Sequence, residues 1–395
     1  MRLLAASLVL FAACNDASKD TPDAAASPQA SAIPAPLANA NASAAAATAT
    51  DAGPPLVPMR GDAPLAIDAP ASTRELGYTL SGVIHLGDVA GPIRAPEVNV
   101  AGLDAARKKT ELRFAIDLTS TRMRVGLAGS GFVLPAETEI RARNDRAGHV
   151  VVWPGGGTYR PLPPGALRAL FAERRFDVAP LGSADVDATD ETGKRIGVRT
   201  RKVAVATRAA KATFEVGRLA DLGDGGVLLC RMLLDLMSAP PQSAVCSADE
   251  LPMHAELRWT SRGSVVFDVT GVLKKTDAGT ILVPPSGATY SAAAPPVAGV
   301  ARILDPHELA AFRNEVLGAP PPPPGEGLAI ANTSDLLRVF YIDGVPVAWA
   351  APGARDLLPL PRGHYIAQWR TFLGDSFEAP STQSVPAVAA DAGAK

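Results

Sequence analysis

Between Arg74 and Ser291 the chain is cut by turn residues into short β-branched and aromatic runs, a spacing that leaves little room for anything but a sheet. The runs are Leu76 to Leu86, Thr110 to Leu118, Thr121 to Leu127, His149 to Trp153, Ile196 to Thr207, Lys211 to Val216, Ala255 to Trp259 and Ser264 to Leu273. Many alternate apolar and polar residues with period two, and Gly129-Ser130-Gly131, Pro154-Gly155-Gly156-Gly157 and Asp224-Gly225-Gly226 separate them. Strands at this spacing with few helices between them favour an antiparallel meander or half-barrel over a parallel α/β sheet. The fold class predicted is mainly β, a β-rich α+β body with covering helices and a small C-terminal β-sandwich.

Three helices are expected in the body. Ala166 to Arg175 follows Pro163-Pro164-Gly165 and places Leu167, Leu170 and Phe171 on one face. Val227 to Met237 carries a broader stripe of Leu228, Leu229, Met232, Leu233, Leu236 and Met237, with Arg231 and Asp235 one turn apart on the other side. Such a stripe is ordinarily core; lipid binding is the alternative. In the third, Asp305-Pro306-His307-Glu308 offers a capping box with proline at the first helical position, Leu309, Phe312 and Val316 form the buried face, and Gly318 ends the helix. In architecture alone, a sheet with covering helices resembles the half-barrel of periplasmic lipoprotein carriers, which implies a lipid or lipoprotein carrier with a cavity as the alternative function.

Five consecutive prolines, Pro320 to Pro324, can join neither a helix nor a ladder and read as a stiff rod. The expected body is therefore 74–318, the linker 319–325 and the C-terminal module 326–380. In that module Leu337 to Ile342 and Val345 to Trp349 flank Asp343-Gly344, a strong hairpin signal. Turns at Pro352-Gly353 and Pro361-Arg362-Gly363 precede a strand from His364 to Phe372. This order of hairpin, turns and strand resembles the PEGA family of small β-sandwich modules, without the glycine-threonine-proline step that usually follows the hairpin. The resemblance implies a binding or spacer module with no catalytic residues. Residues 381–395 read as a frayed tail.

The N-terminus decides location. One basic residue, Arg2, an apolar run and Ala12-Ala13-Cys14 describe a segment that enters a translocon and is cut, and the run is too short to span a bilayer, which takes roughly 20 apolar residues. Phe11-Ala12-Ala13-Cys14 resembles the lipobox of bacterial lipoproteins, with Phe11 where leucine is usual. By that resemblance residues 1–13 are a signal peptide and Cys14 is diacylated. The alternative is an ordinary secretory signal cut after a later alanine. Residues 14–73 are Ala, Pro, Ser, Asp and Thr with few large apolar groups, too little burial to offset ordering entropy, and so read as a disordered tether. A coil of that length spans roughly 40 Å.

A formal net charge of −2 in 395 residues excludes the strongly basic character of a nucleic-acid binder. With Cys14 lipidated, Cys230 and Cys246 remain, an even pair that in an oxidising compartment closes a loop worth about 3 kcal/mol in the chain-entropy picture. Two buried free thiols are the alternative, and metal binding is disfavoured because neither cysteine has a CxxC partner or a histidine at ligand spacing.

Two surface features are candidates for binding. Lys194, Arg195, Arg199, Arg201, Lys202, Arg208 and Lys211 fall in one stretch with no acid, and would suit anionic head groups or cell-wall polymer. The plainer reading is a solvated face balanced by the acidic loop Asp185, Asp187, Asp190 and Glu191. Trp349, Tyr365 and Trp369 would stack on sugars unless they are core. Gly374-Asp375-Ser376 resembles the nucleophile block of GDSL esterases, but no histidine follows Ser376, so a surface turn is the expectation. The acidic loop lacks the glycine and glutamate of a calcium loop. His85, His149, His254, His307 and His364 are scattered, and neither HExxH nor GxSxG occurs. The sequence predicts a non-catalytic protein of the cell envelope, in the periplasm or at the outer membrane, without cofactor or metal. Its partners would be the membrane, through its lipid, and a cell-wall polymer or another envelope protein.

Overall fold

The computed structural model describes residues 57–58, 63–66, 75–86, 111–128, 134–155, 157–175, 182–240, 242–259, 264–276, 279–293, 299–313, 326–371, 376, 378–385 and 387–388. Cys14, most of the tether and the 319–325 linker lie outside the described residues. In the first half the strands are β1 (Val57–Pro58), β2 (Gly77–Leu86), β3 (Leu112–Thr119), β4 (Arg122–Ala128), β5 (Glu139–Arg143), β6 (Arg146–Ala147), β7 (His149–Val152) and β8 (Thr158–Leu162). After helix α1 (Leu167–Glu173) come β9 (Ala184–Arg195), β10 (Val198–Thr207) and β11 (Ala210–Arg218). Helix α2 (Gly225–Leu236) then leads to β12 (Glu250–Trp259), β13 (Ser264–Lys275) and β14 (Thr289–Tyr290). The last part holds β15 (Val300–Arg302), helix α3 (Pro306–Ala311), β16 (Leu328–Ala331), β17 (Arg338–Ile342), β18 (Val345–Ala350), β19 (Arg355–Leu358), β20 (Gly363–Arg370), β21 (Ser381–Val385) and β22 (Ala387–Val388).

Twelve strands form one open sheet in the order β14-β8-β7-β5-β4-β3-β2-β13-β12-β11-β10-β9. Only the short β14–β8 contact is parallel; the others are antiparallel. The β-rich body and its helices are thus as the sequence predicts. Four of these strands, β5, β8, β9 and the two-residue β14, were not expected. β5 lies in a stretch rich in Arg and Glu, and β8 contains Pro161, which cannot donate to a ladder but is opposed only by Val150 of β7 on its other side. β9 is the stretch read as an acidic loop. As the sheet edge it turns most of its charged side chains to water, and it is ordered by its register with β10. Charged residues on an edge also discourage pairing with another chain.

α2 fills one face of this sheet. Leu228, Leu229, Met232 and Leu233 share a buried cluster with Ile116, Leu118, Met123, Val125, Phe214, Leu251 and Met253 from the strands beneath. The helix begins two residues earlier than expected because Gly225 and Gly226 belong to its first turn. A methyl group on Gly225 would overlap the Thr119 carbonyl oxygen, and one on Gly226 the Glu250 carbonyl oxygen. The double glycine lets the helix enter between the ends of β3 and β12. Cys230 and Cys246 form a disulfide across a Cα–Cα distance of 6.2 Å, tying α2 to the loop after it.

A second core lies between the sheet β15-β18-β17-β20-β21 and the sheet β19-β16-β22. The predicted hairpin is there, with Asp343 and Gly344 both at positive φ. Its boundaries differ from those expected at both ends. β15 pairs with β18, and Leu309 and Phe312 of the α3 region are buried in this core, so the third helix serves the C-terminal sheets rather than the body. The backbone groups on the free edge of β20 are paired by β21, so Ser381–Val385 is a strand and not frayed tail. The body likewise begins before residue 74: β1 pairs with β6, and Leu65 packs on Val150, Val152, Tyr159, Ile281 and Val283. Both ends were misread because polar, alanine-rich composition conceals a few residues that pair with an otherwise open edge. α3 keeps its capping box, with Asp305 accepting from the Glu308 amide at 2.8 Å. Val316 and Gly318 lie outside the described residues.

Candidate functional site

α2 lays its apolar stripe on the sheet, and Arg231 and Asp235 flank that stripe. Beside them, between α2, the loop before α1 and the β6–β7 connection, is a cavity of about 400 Å³. Pro164, Leu228, Leu234, Ala239 and Pro240 supply apolar wall, and Arg146, His149, Arg231 and Asp235 supply the charged and polar wall.

Asp235 is buried because it does structural work. α1 has no side-chain cap of its own at Ala166, and Asp235 Oδ2 accepts from the Leu167 amide at 2.8 Å. The carboxylate therefore caps a neighbouring helix from outside. Burial pushes it up to about 6, against the amides of Leu167 and Arg168 and the charge of Arg168. His149 is also buried. Loss of solvent, reinforced by the charge of Arg231, pulls it down to about 4, although the Leu228 carbonyl opposes the shift. The ring is neutral at neutral pH, and its Nδ1 has no hydrogen-bond partner. Arg146 and Arg231 are half-buried and make no ion pair among the described residues. His149 and Asp235 do not hydrogen-bond to each other, and Asp235 Oδ1, like His149 Nδ1, is buried without a hydrogen-bond partner.

The basic stretch is dispersed by the hairpin β9–β10. Ile196 and Gly197 turn it with positive φ at both positions, the geometry of a tight hairpin, although a β-branched residue is ill suited to that region. Arg195 meets Glu215 with two bonds at 2.8 and 2.9 Å. Arg201 meets Glu250 at 3.0 and 2.7 Å and the Val245 carbonyl at 2.9 Å. Lys202 meets Glu191 at 2.6 Å. The guanidinium hydrogen bonds hold Glu215 and Glu250 below the usual carboxylate range. Three of the seven are thus engaged. Lys194 and Arg199 stand opposite each other at the tip, both exposed and with no acidic partner among the described residues, and Ile196 between them is 48% exposed. Arg208 and Lys211 are exposed at the other end of β10, around the turn into β11.

Trp349, Tyr365 and Trp369 are buried at 8%, 2% and 1% exposure, which corrects the glycan-stacking reading. Trp369 packs on Phe340 with ring centroids 4.8 Å apart, Arg313 lies over Tyr365 at 4.6 Å, and the Tyr365 hydroxyl donates to the Pro361 carbonyl at 2.7 Å. Tyr365 and Trp369 belong to the core between the two C-terminal sheets, and Trp349 to the buried cluster that also holds α2. Ser376 is bonded to Gln368 at 2.5 Å and to the Glu378 carbonyl at 2.7 Å. His254, one of the scattered histidines, pairs with Asp268 at 2.9 Å on the neighbouring strand.

Sequence reasoning marked Arg231 and Asp235 as a polar pair on an apolar helix, but missed the cavity. His149 reaches it from β7, more than eighty residues before Arg231, and no local spacing announces that meeting.

No family model matches the chain, and no curated protein matches it. Among solved structures it is similar to PNGF-II in two crystal forms, each at 9% identity and a TM-score of 0.29, over 67% and 68% of this chain and 46% and 47% of those chains. The chain thus spans less than half the length of the PNGF-II structures it matches. It is also similar to the MucA/MucB complex of Pseudomonas aeruginosa, at 14% identity and a TM-score of 0.23, over 79% of this chain and 87% of that one. Likenesses this slight carry no argument about activity.

Proposed function

We propose that the chain is a lipid-anchored protein of the bacterial cell envelope whose β-rich body binds or braces rather than catalyses. The observation that carries this reading is the Cys230–Cys246 disulfide. Such bonds persist in oxidising compartments and are rare in the cytosol, and an exported chain ending its apolar leader in Ala12-Ala13-Cys14 has Cys14 left over for acylation. The membrane is then the first partner, through the lipid. The exposed pair Lys194 and Arg199 around Ile196 is the part of the basic stretch suited to an anionic polymer or surface, because the remaining central cations are occupied by Glu215, Glu250 and Glu191. A lipid carrier needs a hollow sheet face, and the face under α2 is filled, which favours a binding or structural role.

Mass spectrometry of the protein extracted from membranes tests the anchor. An N-terminal diacylglyceryl cysteine at position 14 is expected, and Cys14→Ser should move the protein from the membrane to the soluble fraction. A mature chain beginning beyond Cys14 sinks the proposal.

A further inference from the structure

The β9–β10 hairpin carries at its apex a residue that the turn itself does not favour. Ile196 stands at a φ of 40° and Gly197 at 87°, and a β-branched side chain is an outlier in that region, where glycine or asparagine sits without strain. Packing does not account for the isoleucine, since it is 48% exposed. The tip closes the last strand of the twelve-stranded sheet, and a methyl group added to Gly197 would meet nothing within 4 Å among the described residues. Strained backbone of this kind gathers at functional sites. Directly beneath the apex Lys194 and Arg199 pair across the hairpin, both exposed and without an acidic partner among the described residues, because Glu215 and Glu250 of the adjoining strands are engaged by Arg195 and Arg201. An apolar apex above a collar of unengaged cations suits the head-group region of a bilayer: the aliphatic side chain leaves water for the acyl boundary while the long basic side chains keep their charges at the phosphates.

We propose that the β9–β10 tip inserts Ile196 into an anionic lipid bilayer, with Lys194 and Arg199 against the phosphates, so that the body lies on the membrane. The inference rests on the envelope reading, which brings the chain to a membrane, and names the surface that the basic tip meets. A cell-wall polymer would also meet the two cations, but it offers no apolar medium to Ile196. One side chain and two charges make a weak contact, which suffices for a body that a tether of roughly 40 Å keeps beside the bilayer.

The chain from residue 14 onward with Cys14→Ser, which carries no lipid, isolates the tip. It is titrated with vesicles of phosphatidylethanolamine and phosphatidylglycerol in equal parts, against phosphatidylcholine vesicles and cell-wall fragments. Ile196→Gly suits the positive φ, so thermal stability should not fall, while affinity for the anionic vesicles should drop about tenfold, the lower end expected for one aliphatic side chain. Binding to cell-wall fragments should be indifferent to that change. Lys194→Gln with Arg199→Gln should weaken vesicle binding by about tenfold or more. Ile196→Trp should bind the anionic vesicles and emit at shorter wavelength on them, with the native tryptophans of the parent chain as the blank. Failure of the parent chain to bind anionic vesicles, equal binding to phosphatidylcholine, binding indifferent to Ile196→Gly, or an Ile196→Trp emission that does not move overturns the proposal. A failed insertion would leave lipidation at Cys14 standing, and a chain without that lipid would leave the tip result standing.

Discussion

The two cores of this molecule are held by different means. Under α2 the contact is almost wholly apolar, made close by Gly225 and Gly226 and fixed by a disulfide, and the polar groups are displaced to a cavity at its side. In the C-terminal sandwich polar groups are built into the middle. Arg313 is fully buried, covers the Tyr365 ring, donates to the His364 carbonyl and lies 3.8 Å from Asp343, whose carboxylate also accepts from the Ile366 amide at 3.0 Å. A large sheet gathers enough apolar area to be stabilised by burial alone, whereas a small double sheet gains specificity from charged pins that tolerate only one arrangement. That is a hypothesis with a direct test. Arg313→Met should cost about 3–5 kcal/mol, because it strands a buried Asp343, and adding Asp343→Asn should restore most of the loss. Denaturant unfolding of the two variants measures this; a double variant no better than the single one would show that Arg313 acts through packing and not charge.

The disulfide gives the next largest effect, and it should fall on the other core. Cys230→Ala with Cys246→Ala should remove about 3 kcal/mol for a loop of this length. Hydrogen exchange should speed in α2 and β12 while β16 and β20, whose buried residues belong to the other core, keep their protection. Uniform loss across both regions would mean that the cores unfold as one unit.

Titration separates them further, since the two strongly shifted groups of the cavity pull in opposite directions. His149 is depressed, to about 4, so its stabilising contribution is present above its unfolded value of 6.5 and is lost as pH falls toward 4. Asp235 is raised, to about 6, so its contribution is present below its unfolded value of 3.8 and is lost as pH climbs through 6. Between pH 4 and 6 the two slopes oppose each other. His149→Gln should leave stability falling with rising pH in that window, and Asp235→Asn should leave it rising, each by on the order of 2 kcal/mol. Thermal melts at pH 4, 5 and 6 read the slopes, and parallel curves for both variants would break the assignment.

Most of the sheet was legible because its strands announce themselves by alternation and turn residues, as β2, β3, β4 and β13 do within two residues at either end. What escaped was set by partners distant in sequence. Acidic β9 is a strand only because β10 lies beside it. Ser381–Val385 is ordered only because β20 offers an open edge, and the α3 segment leaves the body because its apolar face fits a core on the far side of the prolines. The disulfide was accessible by counting cysteines. The cavity was not, since His149, Arg231 and the α1 cap meet only after three elements have packed.

The smallest expected stability effect concerns the hairpin tip, and it divides the seven basic residues more sharply than any other measurement. Lys194 and Arg199 touch no acid among the described residues, so Lys194→Gln with Arg199→Gln should change stability by less than about 0.5 kcal/mol, as for surface positions generally. Arg201→Gln removes a two-bond partner of Glu250 and the donor to Val245, and should cost about 1 kcal/mol or more. Binding should order them the other way. Co-sedimentation with anionic vesicles or cell-wall fragments should drop for the tip variant and hardly change for Arg201→Gln, and added salt should weaken the interaction of the unmodified protein by screening. Binding that survives the tip substitutions but is lost with Arg208→Gln and Lys211→Gln would move the docking surface to the other end of β10. Salt-insensitive binding that survives all four would remove the basic stretch from the function altogether.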